Sequence, residues 1–289
     1  MRDYRHRADV DCNGFALCQL GCDQIRLKPE TEAGLITWIR RGLWRLRGFL
    51  YMAPAAVTLT AVCVFIFIIQ QTTAGVEFVS VYGYRFNYDQ ALLSCFGLNW
   101  PLLKQGFLWQ FLTYMFLHGS WLHLGLNMLT VLFFGSGLEA EVGKRYFWRI
   151  FLTGGFLGGL GWLVFTALVA FVPATSVLVG WMPQGLQDLV GAGSTAGRSL
   201  DHSLCIGASG GVFGLIGAYA ALFPTREVYV LLIFFPLKMR ARTLAWVLGV
   251  LTVLDAVFVQ SQVAYAAHLA GGVAGYLTGC HLRRTGYSG

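Results

Sequence analysis

Charge is scarce in this chain. Of 289 residues, 12% are Asp, Glu, Lys or Arg, while 56% are hydrophobic. A soluble domain carries about 25% charged residues. An ordinary water-exposed globule is therefore excluded, and lipid replaces water as the main solvent. Acids are the scarcer sign, 14 against 21 Lys and Arg, for a formal net charge of +7. In a polytopic membrane protein such an excess marks loops retained in the cytoplasm, so no nucleic-acid partner is expected. The first 50 residues are too polar to hold the apolar core of a signal peptide. Cys12, Cys18 and Cys22 lie in that region with His6, at a spacing that matches no standard zinc pattern. No metal or cofactor is expected. Cys63, Cys205 and Cys280 read as small hydrophobes in apolar runs, and Cys95 has no obvious disulfide partner. There is no internal repeat and no charge at mid-membrane, both of which a small transporter would normally show.

What is present is a series of apolar runs. Six read as spans: Met52–Gln71, Leu122–Leu138, Ile150–Phe171, Cys205–Phe223, Thr243–Val259 and Val263–Cys280. Several fall short of the roughly 20 residues a crossing usually takes. A further run, Val228–Leu237, is too short to cross and reads as interfacial or re-entrant. With the N-terminus inside, 18 of the 21 Lys and Arg fall on the cytoplasmic side. Arg85, Lys104 and Arg198 fall outside. The positive-inside rule thus gives a cytoplasmic N-terminus and C-terminus. The expected fold is an all-α polytopic bundle of six transmembrane helices over residues 51–280. A cytoplasmic N-terminal region, 1–50, precedes it, and a short cytoplasmic tail, 281–289, follows. Ile36–Leu50 mixes Trp38, Leu43 and Trp44 with four arginines. It reads equally as an amphipathic helix on an anionic bilayer surface and as a plain juxtamembrane basic cluster. Two external segments are long, Thr72–Trp121 and Val172–Leu204.

Topology then assigns depth. Ser209 and His268 each lie one to two turns inside the outer end of a span that starts outside. His123 sits near the outer end of the second span, and Asn127 lies one turn deeper on the same face. Each residue alone fits an ordinary helix-packing hydrogen bond. Together, a Ser, two His and an Asn at one depth are expensive in lipid and point to a shared interior site. Ser with His suggests a nucleophile and its base. His with Asn suggests donors for an oxyanion. Small residues recur at four-residue spacing in two places: Gly210, Gly214 and Ala218, and Gly271, Gly275 and Gly279. Two such faces permit close backbone approach, which would bring Ser209 to His268.

Gly207-Ala208-Ser209-Gly210 resembles the GxSG nucleophile motif of the rhomboid intramembrane serine proteases. Ala267-His268-Leu269-Ala270-Gly271, with Gly275 four residues on, resembles their AHxxGxxxG motif. His118, His123 and Asn127 fit the family's HxxxxHxxxN. Trp109-Gln110 fits an element of its first external loop, and Glu139 stands where the family has an acid. The resemblance covers roughly Tyr51 to Cys280. It implies that Ser209 attacks the scissile carbonyl and that His268 takes and later returns the proton. His123, Asn127 and the Ser209 N–H would bind the oxyanion. Phe213 stands where a tyrosine often stacks on the catalytic histidine. Gly207, Gly210, Gly271 and Gly275 would support the site. His118, about 140° from His123 on a continued helix, is expected to fix the external loop by an interfacial hydrogen bond. Asp255 is a less expected participant. The implied partners are transmembrane protein substrates and the lipid bilayer. The alternatives are a catalytically silent relative that binds membrane proteins, which Ser209 and His268 argue against, and the small transporter. The long segment before the fourth span and the Cys-containing tail depart from the family pattern. The missing targeting signal suggests a prokaryotic plasma membrane.

Overall fold

A computed structural model describes residues 53–72, 91–171, 204–232, 235–256 and 265–286. The described residues fall in one compact unit, Met52–Gly289. The polar N-terminal region, with Cys12, Cys18, Cys22 and Ile36–Leu50, lies outside them. So do residues 172–203 of the second long external segment.

Helix α1, Pro54–Thr72, opens with Pro at its first position, where a missing N–H costs nothing. The next two N–H groups go to one side chain. Ala55 N donates to Glu139 Oε1 at 2.8 Å, and Ala56 N to Oε2 at 2.9 Å. Three short helices follow: α2 (Ala91–Phe96), α3 (Trp100–Lys104) and α4 (Gln110–Thr113), then a 3₁₀ turn, Tyr114–Phe116. They are stitched together by side chains. Asn99 caps α3 and donates to Ser94 and Gly97 carbonyls, while Trp109 Nε1 and Gln110 Nε2 both donate to the Cys95 carbonyl.

Ser120 caps α5, Trp121–Thr130, by accepting from His123 N at 3.1 Å. A π turn, Val131–Gly135, links α5 without a break to α6, Ser136–Phe171. The Ser136 hydroxyl donates to the Leu132 carbonyl, serving a group inside the irregular turn. Within α6, Gly143 has φ 78° and ψ 161°. That left-handed value suits glycine and divides the run into the second and third expected spans.

Helix α7, Ser209–Leu222, is buried along nearly its whole length. It starts four residues later than the apolar run suggests. Cys205 is instead paired to Leu98 in a two-bond bridge, 2.9 and 3.0 Å, and Gly207 has φ 126°. A residue in that conformation cannot continue a helix.

The run expected to be interfacial or re-entrant is a hairpin. Strand β1, Glu227–Leu232, pairs antiparallel with β2, Phe235–Arg240, with Glu227 opposite Arg240 and Tyr229 opposite Lys238. The expectation of a purely helical chain is corrected here. Val, Tyr and Phe favour a pleated surface, and Lys238 pairs with Glu227 at 2.6 Å. Helix α8, Ala241–Leu254, follows, and α9, Tyr265–Arg284, ends the fold with His281, Arg283 and Arg284 in its last turn. The two arginines suit a helix C-terminus. They also carry the helix past the expected boundary at Cys280.

The chain is mostly helical, and among the described residues two helical runs are long and apolar enough to cross a membrane, Pro54–Thr72 and Trp121–Leu168. Helices α7 and α8 are apolar but shorter. The centre of the fold is the packing of α6, α7 and α9, which sets the positions of Ser209 and His268.

Candidate active site

Three helices approach so closely that side chains are excluded from their contact. A Cβ on Gly154 of α6 would lie 3.0 Å from the Gly214 Cα of α7, and one on Gly158 only 2.8 Å from the Ala267 carbonyl of α9. A Cβ on Gly271 would strike the Gly210 carbonyl oxygen, and one on Gly275 the Gly214 carbonyl oxygen. The two small-residue stripes of α7 and α9 therefore meet. The part of α6 in this contact was not singled out from the sequence. Its signal was there, in the run Gly154-Gly155-Phe156-Leu157-Gly158-Gly159.

This contact sets Ser209, the first residue of α7, beside His268, in the first turn of α9. Ser209 Oγ and His268 Nε2 are 2.7 Å apart. That is a normal O–H···N distance, and for the hydroxyl to donate, Nε2 must be the unprotonated nitrogen. Phe213, one turn along α7, stacks on the imidazole with centroids 4.4 Å apart and planes 9° from parallel. The ring is thus held on one face by Phe213 and at one edge by Ser209.

The loop before Ser209 is fixed from two sides. Gly207 N donates to the Tyr114 carbonyl at 2.9 Å, and the Tyr114 hydroxyl donates to the Gly155 carbonyl at 2.6 Å. Tyr114, 1% exposed, thus ties α6 to the nucleophile loop. No motif pointed to it. A Cβ on Gly207 would sit 2.8 Å from His123 Cε1, 2.9 Å from His123 Nε2 and 3.6 Å from Ser209 Oγ. His123 therefore turns its Cε1–Nε2 edge toward Gly207, next to the Ser209 hydroxyl.

Asn127 is buried one turn below His123, and its Nδ2 donates to the His123 carbonyl at 2.9 Å. One of its two amide protons is therefore committed to its own helix. His118 departs from its expected place. It precedes the Ser120 cap, so no helical angle relates it to His123. Its ring is buried, and neither ring nitrogen makes a hydrogen bond. The loop is held instead through the His118 backbone. Asp255 stands at the end of α8 and lies within electrostatic reach of His268.

A hydroxyl on an imidazole, a loop of unusual backbone before it, and a second imidazole across the gap suit acyl transfer. Comparison with known proteins gives the family. Residues 105–285, well over half of the chain, match the family described as Rhomboid domain. The chain is 34% identical over 95 residues to the RHOMBOID-like protein 6, mitochondrial, of Arabidopsis thaliana. That match covers 32% of this chain and 31% of the relative. It is 28% identical over 173 residues to Rhomboid protein 1, mitochondrial, of Saccharomyces cerevisiae, covering 58% of this chain and 40% of that one. The chain thus spans less than half the length of either relative. Both are mitochondrial proteins of eukaryotes, and so lend no support to the expectation of a prokaryotic plasma membrane. Rhomboid proteins are integral membrane proteins, generally serine proteases that act on transmembrane substrates within the bilayer. With Ser209 and His268 brought together where α7 meets α9, and its match running through α6, α7 and α9, the chain belongs to the rhomboid family.

Proposed function

We propose that this chain is an intramembrane serine endopeptidase that cuts transmembrane segments of other membrane proteins near the external face. The observation that carries the reading is the 2.7 Å approach of Ser209 Oγ to His268 Nε2, in a chain of this family.

Ser209 attacks the scissile carbonyl as His268 Nε2 takes its proton. The negative charge that develops on the carbonyl oxygen is met by the Ser209 N–H, the His123 ring and the free Asn127 amide proton. Collapse of the tetrahedral intermediate expels the amine, which receives the proton from His268. A water molecule then repeats the sequence on the acyl-enzyme, with His268 again as base. Phe213 keeps the imidazole plane aligned for both transfers. The proposed architecture is six membrane-crossing helices within residues 51–280, with both termini cytoplasmic. The excess of Lys and Arg on that side supports it.

The test is covalent labelling. Purified full-length protein in proteoliposomes is treated with a fluorophosphonate and assayed on a model transmembrane substrate. The expected result is one adduct, on Ser209, with loss of cleavage in proportion. Cleavage that persists in the fully labelled protein, or an adduct elsewhere, would overturn the reading.

A further inference from the structure

Helix α1 carries Gln70 near its end, outside every motif and outside the matched residues 105–285. Its side chain is fully buried. Gln70 Nε2 donates to the His118 carbonyl at 3.0 Å, and Gln70 Oε1 accepts from the His118 N–H at 3.1 Å. A side-chain amide that engages both backbone groups of one residue does what a neighbouring strand does in an antiparallel pair. It fixes the position and the tilt of that residue.

What is fixed in this way is an imidazole that forms no hydrogen bond. The His118 ring is 1% exposed, and neither nitrogen has a partner. The Phe116 backbone lies beside the ring, but neither nitrogen forms a hydrogen bond of normal geometry. Burying an unpaired polar ring lowers stability, so stability does not account for it. Its clear contact is with His123. The two rings pack edge to face, with centroids 5.2 Å apart and planes at 69°. His123 in turn presents Nε2 toward Gly207 and Ser209. An unbroken series of contacts therefore runs from the Gln70 amide through the His118 backbone and ring to the His123 ring.

We propose that Gln70 and His118 are positioning residues for His123. Gln70 seats the His118 ring, and that ring bars His123 from rotating its Nε2 away from Gly207. The proposal rests on the protease reading, in which His123 donates to the oxyanion. Such a donor acts through placement, and displacement by about 1 Å can cost up to roughly a hundredfold in rate. Because the His118 nitrogens are unbonded, the ring acts by shape. Phenylalanine should therefore replace it.

The test is a set of double-mutant cycles on the full-length chain in proteoliposomes, reading kcat, KM and thermal stability. Gln70→Met and His118→Ala should each lower kcat roughly tenfold or more, with KM within about twofold. His118→Phe should restore kcat to within about threefold of the wild type. In a His123→Ala background, Gln70→Met and His118→Ala should change kcat by less than about twofold, since residues that act as a unit are not additive. Full additive losses in that background would overturn the proposal. So would His118→Phe proving as damaging as His118→Ala. If Gln70→Met fails to fold, the His118 pair decides alone. If the wild type neither cleaves substrate nor labels at Ser209, the protease reading falls and this one with it. An active wild type with an additive cycle removes this proposal alone.

Discussion

Gly275 and Gly214 meet with no side chain between them: a Cβ on Gly275 would strike the Gly214 carbonyl oxygen and come within 2.6 Å of its Cα. One methyl group is therefore enough to part α7 from α9, the helices that carry Ser209 and His268. Gly275→Ala should destabilise the protein by about 1–3 kcal/mol, as overpacking does, and should lower kcat sharply. Gly249→Ala is the control, since a Cβ there meets nothing within 4 Å. Thermal unfolding and turnover should leave Gly249→Ala at or slightly above the wild type. Equal stability of the two variants would show that the α7–α9 contact yields freely.

The Ser209–His268 pair should behave as one unit. Ser209→Ala and His268→Ala are each expected to abolish cleavage while leaving the thermal transition within a few degrees of the wild type. The double variant should be no worse than either single one, because removing members of one catalytic unit is grossly non-additive. Steady-state turnover of all three variants checks this, and substantial cleavage by Ser209→Ala would place the nucleophile elsewhere.

The two proposed oxyanion donors should differ. His123 aims a ring edge at Gly207, whereas Asn127 has one amide proton committed to the His123 carbonyl. His123→Ala is expected to cost about 2.7–4 kcal/mol of transition-state stabilisation, the usual loss for such a donor. Asn127→Ala should cost less. Both should keep covalent labelling of Ser209 and change kcat more than KM. The reverse order, with Asn127→Ala the more damaging, would exchange their roles.

Glu139 invites a sharper substitution than truncation. Its two carboxylate oxygens each accept one N–H at the start of α1. In Glu139→Gln one of those N–H groups faces an NH₂, a donor against a donor. A buried donor left unsatisfied costs about 1–3 kcal/mol, so the unfolding midpoint should fall although charge is removed and shape is kept. An unchanged midpoint would mean that the first turn of α1 finds other acceptors.

The contrast between what could and could not be read from sequence has a physical basis. Ser209, His268 and the small residues at four-residue spacing were legible because helical period and cost in lipid both act within a single segment. Gln70 and Tyr114 were not legible. Their partners, His118 and Gly155, are distant in sequence, and a single Gln or Tyr at the edge of an apolar run has no local signature. The start of α7 was misplaced because apolarity cannot distinguish a helix from an extended segment. Cys205 is held by Leu98 across the fold. The hairpin was not legible because both strands share one apolar run: Val230 pairs with Leu237, Leu231 with Pro236 and Leu232 with Phe235, all inside Val228–Leu237, and a continuous apolar run does not show where a strand turns back.

The π turn at Val131–Gly135 acts as a phase shifter. Asn127 and Glu139 are twelve residues apart on one continuous helical run, and both are buried. On an unbroken α-helix they would point about 120° apart. A π turn holds one extra residue, which retards the rotation by roughly 90–100° and brings them to within about 30° of each other. One rod can therefore direct its Asn127 half toward His123 and its Glu139 half at the first turn of α1. Deleting a single residue from 131–135 would regularise the hydrogen bonds and yet put those two ends out of register. The irregular turn is the gearing between chemistry at one end of the helix and anchorage at the other.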